Sequence, residues 1–331
     1  MGKGARSRQR APPAGAKREH VLQRHSDSVD PALLERYRTT RQPIRKSQLF
    51  TEILKQKKDS KRFRREKREK ERKSGREEVP EKAIPKTKER LRKPDMSMVE
   101  DAYDYEIVND EADDEFASYF QKGENPKVLL TTGEHPCFRT KQLIKELLWL
   151  IPNSIYRPRK KYTLTEITQY CSNRNFTDLV VVTDRLKEPH NMIISHLPQG
   201  PTAAFRVSNF LAHSQLEDPA PRTEHYPELI FKNFDTRLGR RISRMLECLF
   251  PSKRDYDGRA VSTFHNQRDY IFLRTHRYIF DSLNEVRLQE MGPRFTLRLL
   301  TLQSGTFDAQ FGEYEWFRKK EHDSDKLEWY L

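Results

Sequence analysis

Apolar positions fall into two repeating sets in the C-terminal two thirds of the chain. Lys127-Val-Leu-Leu-Thr-Thr132, closed by Gly133, is a short run that predicts a buried strand. From about Thr140, the spacing of Leu143, Ile144, Leu147, Leu148 and Ile151 predicts a helix stopped at Pro152-Asn153. A weaker helix is expected over 163–172. Strands are expected at Leu179–Val182, Met192–His196 and Ala203–Val207, the last two joined by the turn sequence Leu197-Pro-Gln-Gly-Pro201. The plan then repeats. Glu228-Leu-Ile-Phe231 reads as a strand, and Asn233 or Asp235 caps a helix turning Leu238, Ile242, Met245, Leu246 and Leu249 inward before Pro251. Further strands are expected near 260–264, 270–275, 277–280 and 294–302. The order β-α-(α)-β-β-β followed by β-α-β-β-β predicts an α/β fold of two similar halves with mixed sheets, about 126–215 and 225–320, and a tail at 321–331.

Upstream the pattern changes. Ser47–Lys73 is free of Gly and Pro and carries one short apolar stripe, Leu49, Phe50, Ile53 and Leu54, so a helix is expected near 47–73 that settles when the stripe or its basic face finds a partner. Only 22 of residues 1–94 are apolar, too few to offset the entropy of ordering, and most of this arm is expected to be disordered.

Charge sharpens the division. The net charge is +14, yet residues 1–94 hold 31 basic and 13 acidic side chains, while residues 95–118 hold ten acidic and none basic. The chain thus reads as a basic arm (1–94), an acidic spacer (95–125) and a body, with a polyanion as the arm's expected partner. The spacer reads as a linker, or as a segment that folds back on the arm or docks on a basic partner.

Several chemistries lack a scaffold. GxGxxG, GxxxxGK[ST], HExxH and CxxC do not occur, so neither an enzyme, a metal site nor a cofactor is expected. The longest wholly apolar run, Leu147–Ile151, is far short of a membrane span, and the N-terminal sequence lacks the apolar core of a secretory signal. Three widely spaced cysteines suit a reducing compartment, and a soluble intracellular protein without a small-molecule substrate is expected.

What stands out is basic and aromatic residues alternating on strands. Period two places Arg268, Tyr270, Phe272, Arg274 and His276 on one face, with Ile271 and Leu273 opposite; Arg294, Thr296 and Arg298 likewise oppose Phe295, Leu297 and Leu299. Guanidinium groups pair with phosphates and aromatic rings stack unpaired bases, so these are candidate RNA contacts. Two further sets join them: Arg237, Arg240, Arg241 and Arg244 on the outer face of the second-half helix, and Lys61, Arg62, Arg64, Arg65, Lys67 and Arg68 in the arm. The last cluster also fits a nuclear-import signal. The alternative for each set is a solvated face or sheet edge.

The body resembles the Brix domain over roughly 126–320. The resemblance is carried by Lys127–Thr132, Ile151-Pro-Asn-Ser154, Phe176-Thr-Asp-Leu-Val180, Ser195–Ala203, Asn233-Phe-Asp-Thr-Arg-Leu-Gly239 and Glu290-Met-Gly-Pro-Arg-Phe-Thr-Leu-Arg-Leu299. Thr263–Phe272, His276–Phe280, Gly305-Thr-Phe-Asp308 and Gly312-Glu-Tyr-Glu-Trp316 look most like the family's large-subunit assembly proteins. Met291 stands where an aliphatic residue is usual, and Gly133-Glu-His-Pro136 replaces a more basic loop. The resemblance implies two halves akin to anticodon-binding domains. It also implies a non-catalytic nuclear and nucleolar factor that binds precursor ribosomal RNA beside ribosomal proteins and other assembly factors in pre-60S particles. A protein-interaction scaffold touching RNA only through the arm, or a sister factor of the small-subunit pathway, stays open.

Overall fold

The computed structural model describes residues 30–73, 85–99, 105–123, 125–253, 255–282, 285–307, 312–323, 325 and 327–331. They belong to two units, Met1–Pro85 and Lys86–Leu331.

In the first unit, α1 (Pro31–Thr39) and α2 (Pro43–Lys73) form a helical hairpin. Asp30 caps α1, its carboxylate accepting from the Ala32 amide at 3.0 Å. The α2 stripe finds its partner here: Ile53 is buried against Leu33 and Tyr37, with Leu34, Leu49 and Phe50 around them. Leu54 stays largely exposed. The expectation of disorder elsewhere in the arm falls mostly on residues 1–29 and 74–84, outside the described residues.

The second unit is built on one ten-stranded mixed sheet in the order β2-β1-β3-β4-β5-β9-β8-β7-β6, with β10 pairing β9. The first half runs β1 (Val128–Thr132), α5 (Phe138–Leu150), β2 (Ser154–Tyr156), α6 (Leu164–Ser172), β3 (Asp178–Arg185), β4 (Glu188–His196) and β5 (Thr202–Leu211). The second runs β6 (Glu228–Lys232), α7 (Arg237–Glu247), β7 (Ala260–Gln267), β8 (Tyr270–Ser282), β9 (Glu285–Gln303) and β10 (Tyr314–Phe317). In each half a parallel pair, β1/β3 or β6/β7, leads into antiparallel strands. The duplicated plan is therefore present, and β5 pairs β9 to fuse both halves into one sheet. Two details differ from the sequence pattern. Residues 277–280 continue β8 rather than forming a separate strand, and the three-residue β2 carries too few residues to show a period.

Alternation decides what covers each face. Leu130, Val180, Val182, Ile194, Phe205, Val207, Ile271, Leu273, Leu297 and Leu299 point to a front core shared with α5 and α7. The alternate residues Leu129, Leu179 and Val181 point backwards under α6, against Ile167 and Cys171. The second half has no counterpart of α6 among the described residues.

The acidic segment packs into this unit. Two short helices, α3 (Tyr105–Ala112) and α4 (Ala117–Lys122), lie along α7, and Phe116 and Tyr119 sit in the front core. The Tyr119 hydroxyl donates to the Phe250 carbonyl at 2.6 Å. Residues 86–94, assigned to the arm by charge, and 95–99 of the spacer also run through this unit: the Lys93 amide donates to the Leu327 carbonyl and the Val99 amide to the Asp235 carbonyl.

Phe116 covers a polar pair. His196 Nδ1 lies 2.8 Å from the buried Asp178 carboxylate, and the Phe116 ring is 5.1 Å from the imidazole. Burial pushes the His196 pKa down, but the hydrogen bond and charge of Asp178, helped by Glu115, outweigh it and leave it raised above 6.5. A raised folded-state pKa means the charged form binds its proton more tightly in the native state. The resulting stability is complete below the unfolded value near 6.5 and is lost as pH climbs through the higher folded value. Thermal midpoints are therefore expected to fall as pH rises above about 6.5, and His196→Gln is expected to flatten that part of the profile in differential scanning calorimetry.

Candidate nucleic-acid interface

The back face of the second half is assembled in cross-strand rows. In the first, Arg206 of β5 stands opposite Arg298 of β9, whose guanidinium lies over the Tyr270 ring of β8, 4.8 Å from its centroid. In the second, register aligns Ser208, Thr296, Phe272, His265 and Lys232. In the third, Arg294 stands opposite Arg274, which pairs with Thr263. Thus Tyr270, Phe272, Arg274, Arg294 and Arg298 do share one face, as their alternation predicts. Arg206 was missed, although Ala203, Phe205 and Val207 alternate with it in the same manner.

Directly opposed like charges cost stability in a sheet, yet two arginine pairs, Arg206/Arg298 and Arg294/Arg274, occur here. Arg294 is offset by a carboxylate: its guanidinium grips both oxygens of Glu290, with Nε donating at 2.8 Å. Arg206 and Arg274 are exposed and carry no ion pair among the described residues. The neighbouring His276 is held below its ordinary pKa, first by burial, with Arg274 and Arg294 adding to that push against Glu290. His265 is lowered too, by burial and then by Lys232. The face therefore draws its positive charge from arginine and lysine, which suits phosphate at any physiological pH.

Arg268 requires a correction. Both Arg268 and Asp269 take left-handed φ values, 55° and 62°, in the two-residue turn between β7 and β8. That turn removes Arg268 from the strand and places its Nε 4.0 Å from Glu89. Without the Asn-Gly pair that normally marks such a turn, the sequence reads as continuous strand.

The α7 arginines also differ from expectation. Their outer face is occupied by carboxylates of the acidic segment. Arg237 pairs with Glu106 at 2.8 Å, Arg240 with Glu111 at 2.6 Å, and Arg244 with Asp114 at 2.8 Å; Arg241 is shared by Glu115 at 3.1 Å and Glu315 at 2.7 Å. Arg240 and Arg244 are half-buried or deeper, and Arg244 also donates to the Glu111 carbonyl. These groups are a structural clasp rather than a free cationic surface.

In the arm, Lys61, Arg62, Arg64, Arg65, Lys67 and Arg68 all lie on α2. Lys61, Arg62, Arg64, Arg65 and Lys67 are exposed, and Arg62 makes an i,i+4 pair with Glu66 at 2.9 Å. Among the described residues no group of three or more His, Cys, Asp and Glu side chains could hold a metal ion, and no helix is long and apolar enough to cross a membrane.

The chain is similar to curated proteins over most of its length. Proteins called ribosome production factor 1 are 46% identical in Pongo abelii, covering 87% of this chain and 82% of that one. The match in Xenopus laevis is 45%, covering 77% and 75%, and in Saccharomyces cerevisiae 36%, covering 87% and 96%. A Brix domain model matches residues 133–301, from the loop after β1 into β9. Its span takes in most of both duplicated halves and the seam between them, and the chain belongs to the Brix-domain family.

Proposed function

We propose that this chain is a non-catalytic ribosome-assembly factor that binds precursor ribosomal RNA through the back face of its second half. The observation that carries the reading is the set of opposed arginines interleaved with Tyr270 and Phe272. Such a set weakens strand pairing and is suited to phosphates and unpaired bases. The basic helix α2 adds sequence-independent attraction. The relatives are named for ribosome production, which supports the process; work on the large-subunit precursor in pre-60S particles, in the nucleus and nucleolus, completes the proposal.

The test is a full-length R206E/R274E/R298E variant in precursor-rRNA crosslinking and in binding titrations across salt. Each phosphate that is no longer neutralised lowers the slope of log affinity against log salt by about 0.7 for single strands, so the slope is expected to fall by about two. An unchanged slope with intact circular dichroism removes the back face from RNA binding.

A second reading has its own observation. The far end of the β8–β9 hairpin exposes Ile279, Phe280, Val286 and Leu288, and such a patch suits a protein neighbour. If deleting residues 1–85 abolishes RNA binding while the triple variant retains it, the body is a protein scaffold and the arm alone meets RNA.

A further inference from the structure

At one end of the open face lies a cleft of about 570 Å³. Tyr270, Phe272, Arg298 and Gln267 line it from the sheet, Arg268 from the β7–β8 turn, and Trp329 with its acidic neighbours from the C-terminal segment. We propose that this cleft receives one unpaired nucleobase, while the flanking phosphates stay outside at Arg268 and Lys88. The inference rests on the RNA reading of the face and adds the chemical group that enters it.

Size and shape come first. The volume lies in the range of small-ligand sites, which is ample for a base. Its planar groups are already arranged for stacking: the Tyr270 ring is 38% exposed with the Arg298 guanidinium on it. The Trp329 indole is buried, backed by Arg92 at 5.2 Å, and forms part of the cleft wall. Bases stack on aromatic rings and guanidinium planes alike.

Charge then decides which part of a nucleotide goes in. Asp325 and Glu328 line the cleft, each accepting from Lys93 Nζ at 2.7 Å, and Asp269 holds Arg318 at 2.7 Å. Lys93 and Arg318 are thereby matched by carboxylates, and a phosphate placed beside Asp269, Asp325 and Glu328 would meet their repulsion. A base carries no charge and offers N–H donors to carboxylate and amide oxygens, including the Gln267 side chain. Lys88 on the cleft, with no ion pair among the described residues, and Arg268, 4.0 Å from its nearest carboxylate, are the cations left to meet phosphate.

The experiment uses full-length protein with two probes of about ten nucleotides, an oligoadenylate and an abasic ribose-phosphate chain of equal charge. The wild type is expected to bind the base-bearing chain about tenfold more tightly, from one well-stacked base. Tyr270→Leu is expected to remove that difference between the probes. Equal binding of both probes by the wild type overturns the base site, as does a Tyr270→Leu variant that retains the tenfold preference. In either case the RNA reading survives if R206E/R274E/R298E weakens both probes. If that triple variant leaves both affinities unchanged, the RNA reading of the face falls and the base site with it.

Discussion

Asp269→Asn is expected to destabilise the second unit by about 3–5 kcal/mol, because it strands a buried cation. Asp269 and Arg318 are 4% and 8% exposed and meet at 2.7 Å. The same carboxylate accepts the Tyr330 amide at 2.6 Å and the Leu331 amide at 2.9 Å through its other oxygen, tying the C-terminal segment to the β7–β8 turn. Asn preserves the shape and tolerates the left-handed backbone at this position, so the substitution isolates the charge. Urea denaturation is the measurement: the midpoint falls with an unchanged slope if only stability alters. Adding Arg318→Met to Asp269→Asn is expected to recover part of the loss, since no unpaired cation is then left inside. A loss below about 1 kcal/mol for the single change would show Arg318 to be solvated rather than stranded.

Phe116→Ala ranks beside it. The ring is fully buried in the front core, and its removal opens a cavity whose expected cost is about 3–5 kcal/mol. The contrast is Glu106→Gln, which removes the charge from the exposed pair with Arg237 and is expected to cost about 0.5 kcal/mol or less. Both are read by the same denaturation. Comparable small costs for the two would mean that residues 105–122 are a linker lying on the surface. The expected disparity makes them part of the domain, with the aromatic anchors holding and the carboxylates matching α7.

These results bear on what the sequence discloses. The strand at Leu179–Val182 was legible as a continuous apolar run, because both of its faces are buried, and the helix carrying Leu143 and Leu147 by its spacing. The acidic segment was not, because α3 and α4 are too short for a periodic signal and depend on tertiary anchors. Its carboxylates and the α7 arginines were each visible, but their pairing across more than a hundred residues of chain was not. The open-face residues of β8 and β9 were legible from alternation. Arg206 escaped because it is a single cation on β5, and only its register against Arg298 brings it to the face. Gln267 and Trp329 come together through the path of the C-terminal segment, which no local pattern encodes.

The seam between β5 and β9 has a consequence for biosynthesis. β5 is finished at Leu211, but its partner begins only at Glu285. At ordinary elongation rates the first half emerges on the order of ten seconds before the strand that closes it. During that interval β5 is an unprotected sheet edge, open to pairing with neighbouring nascent chains. A duplication that yields one continuous sheet thus ties its halves together in time: the edge of the first is covered only once β9 of the second has left the ribosome.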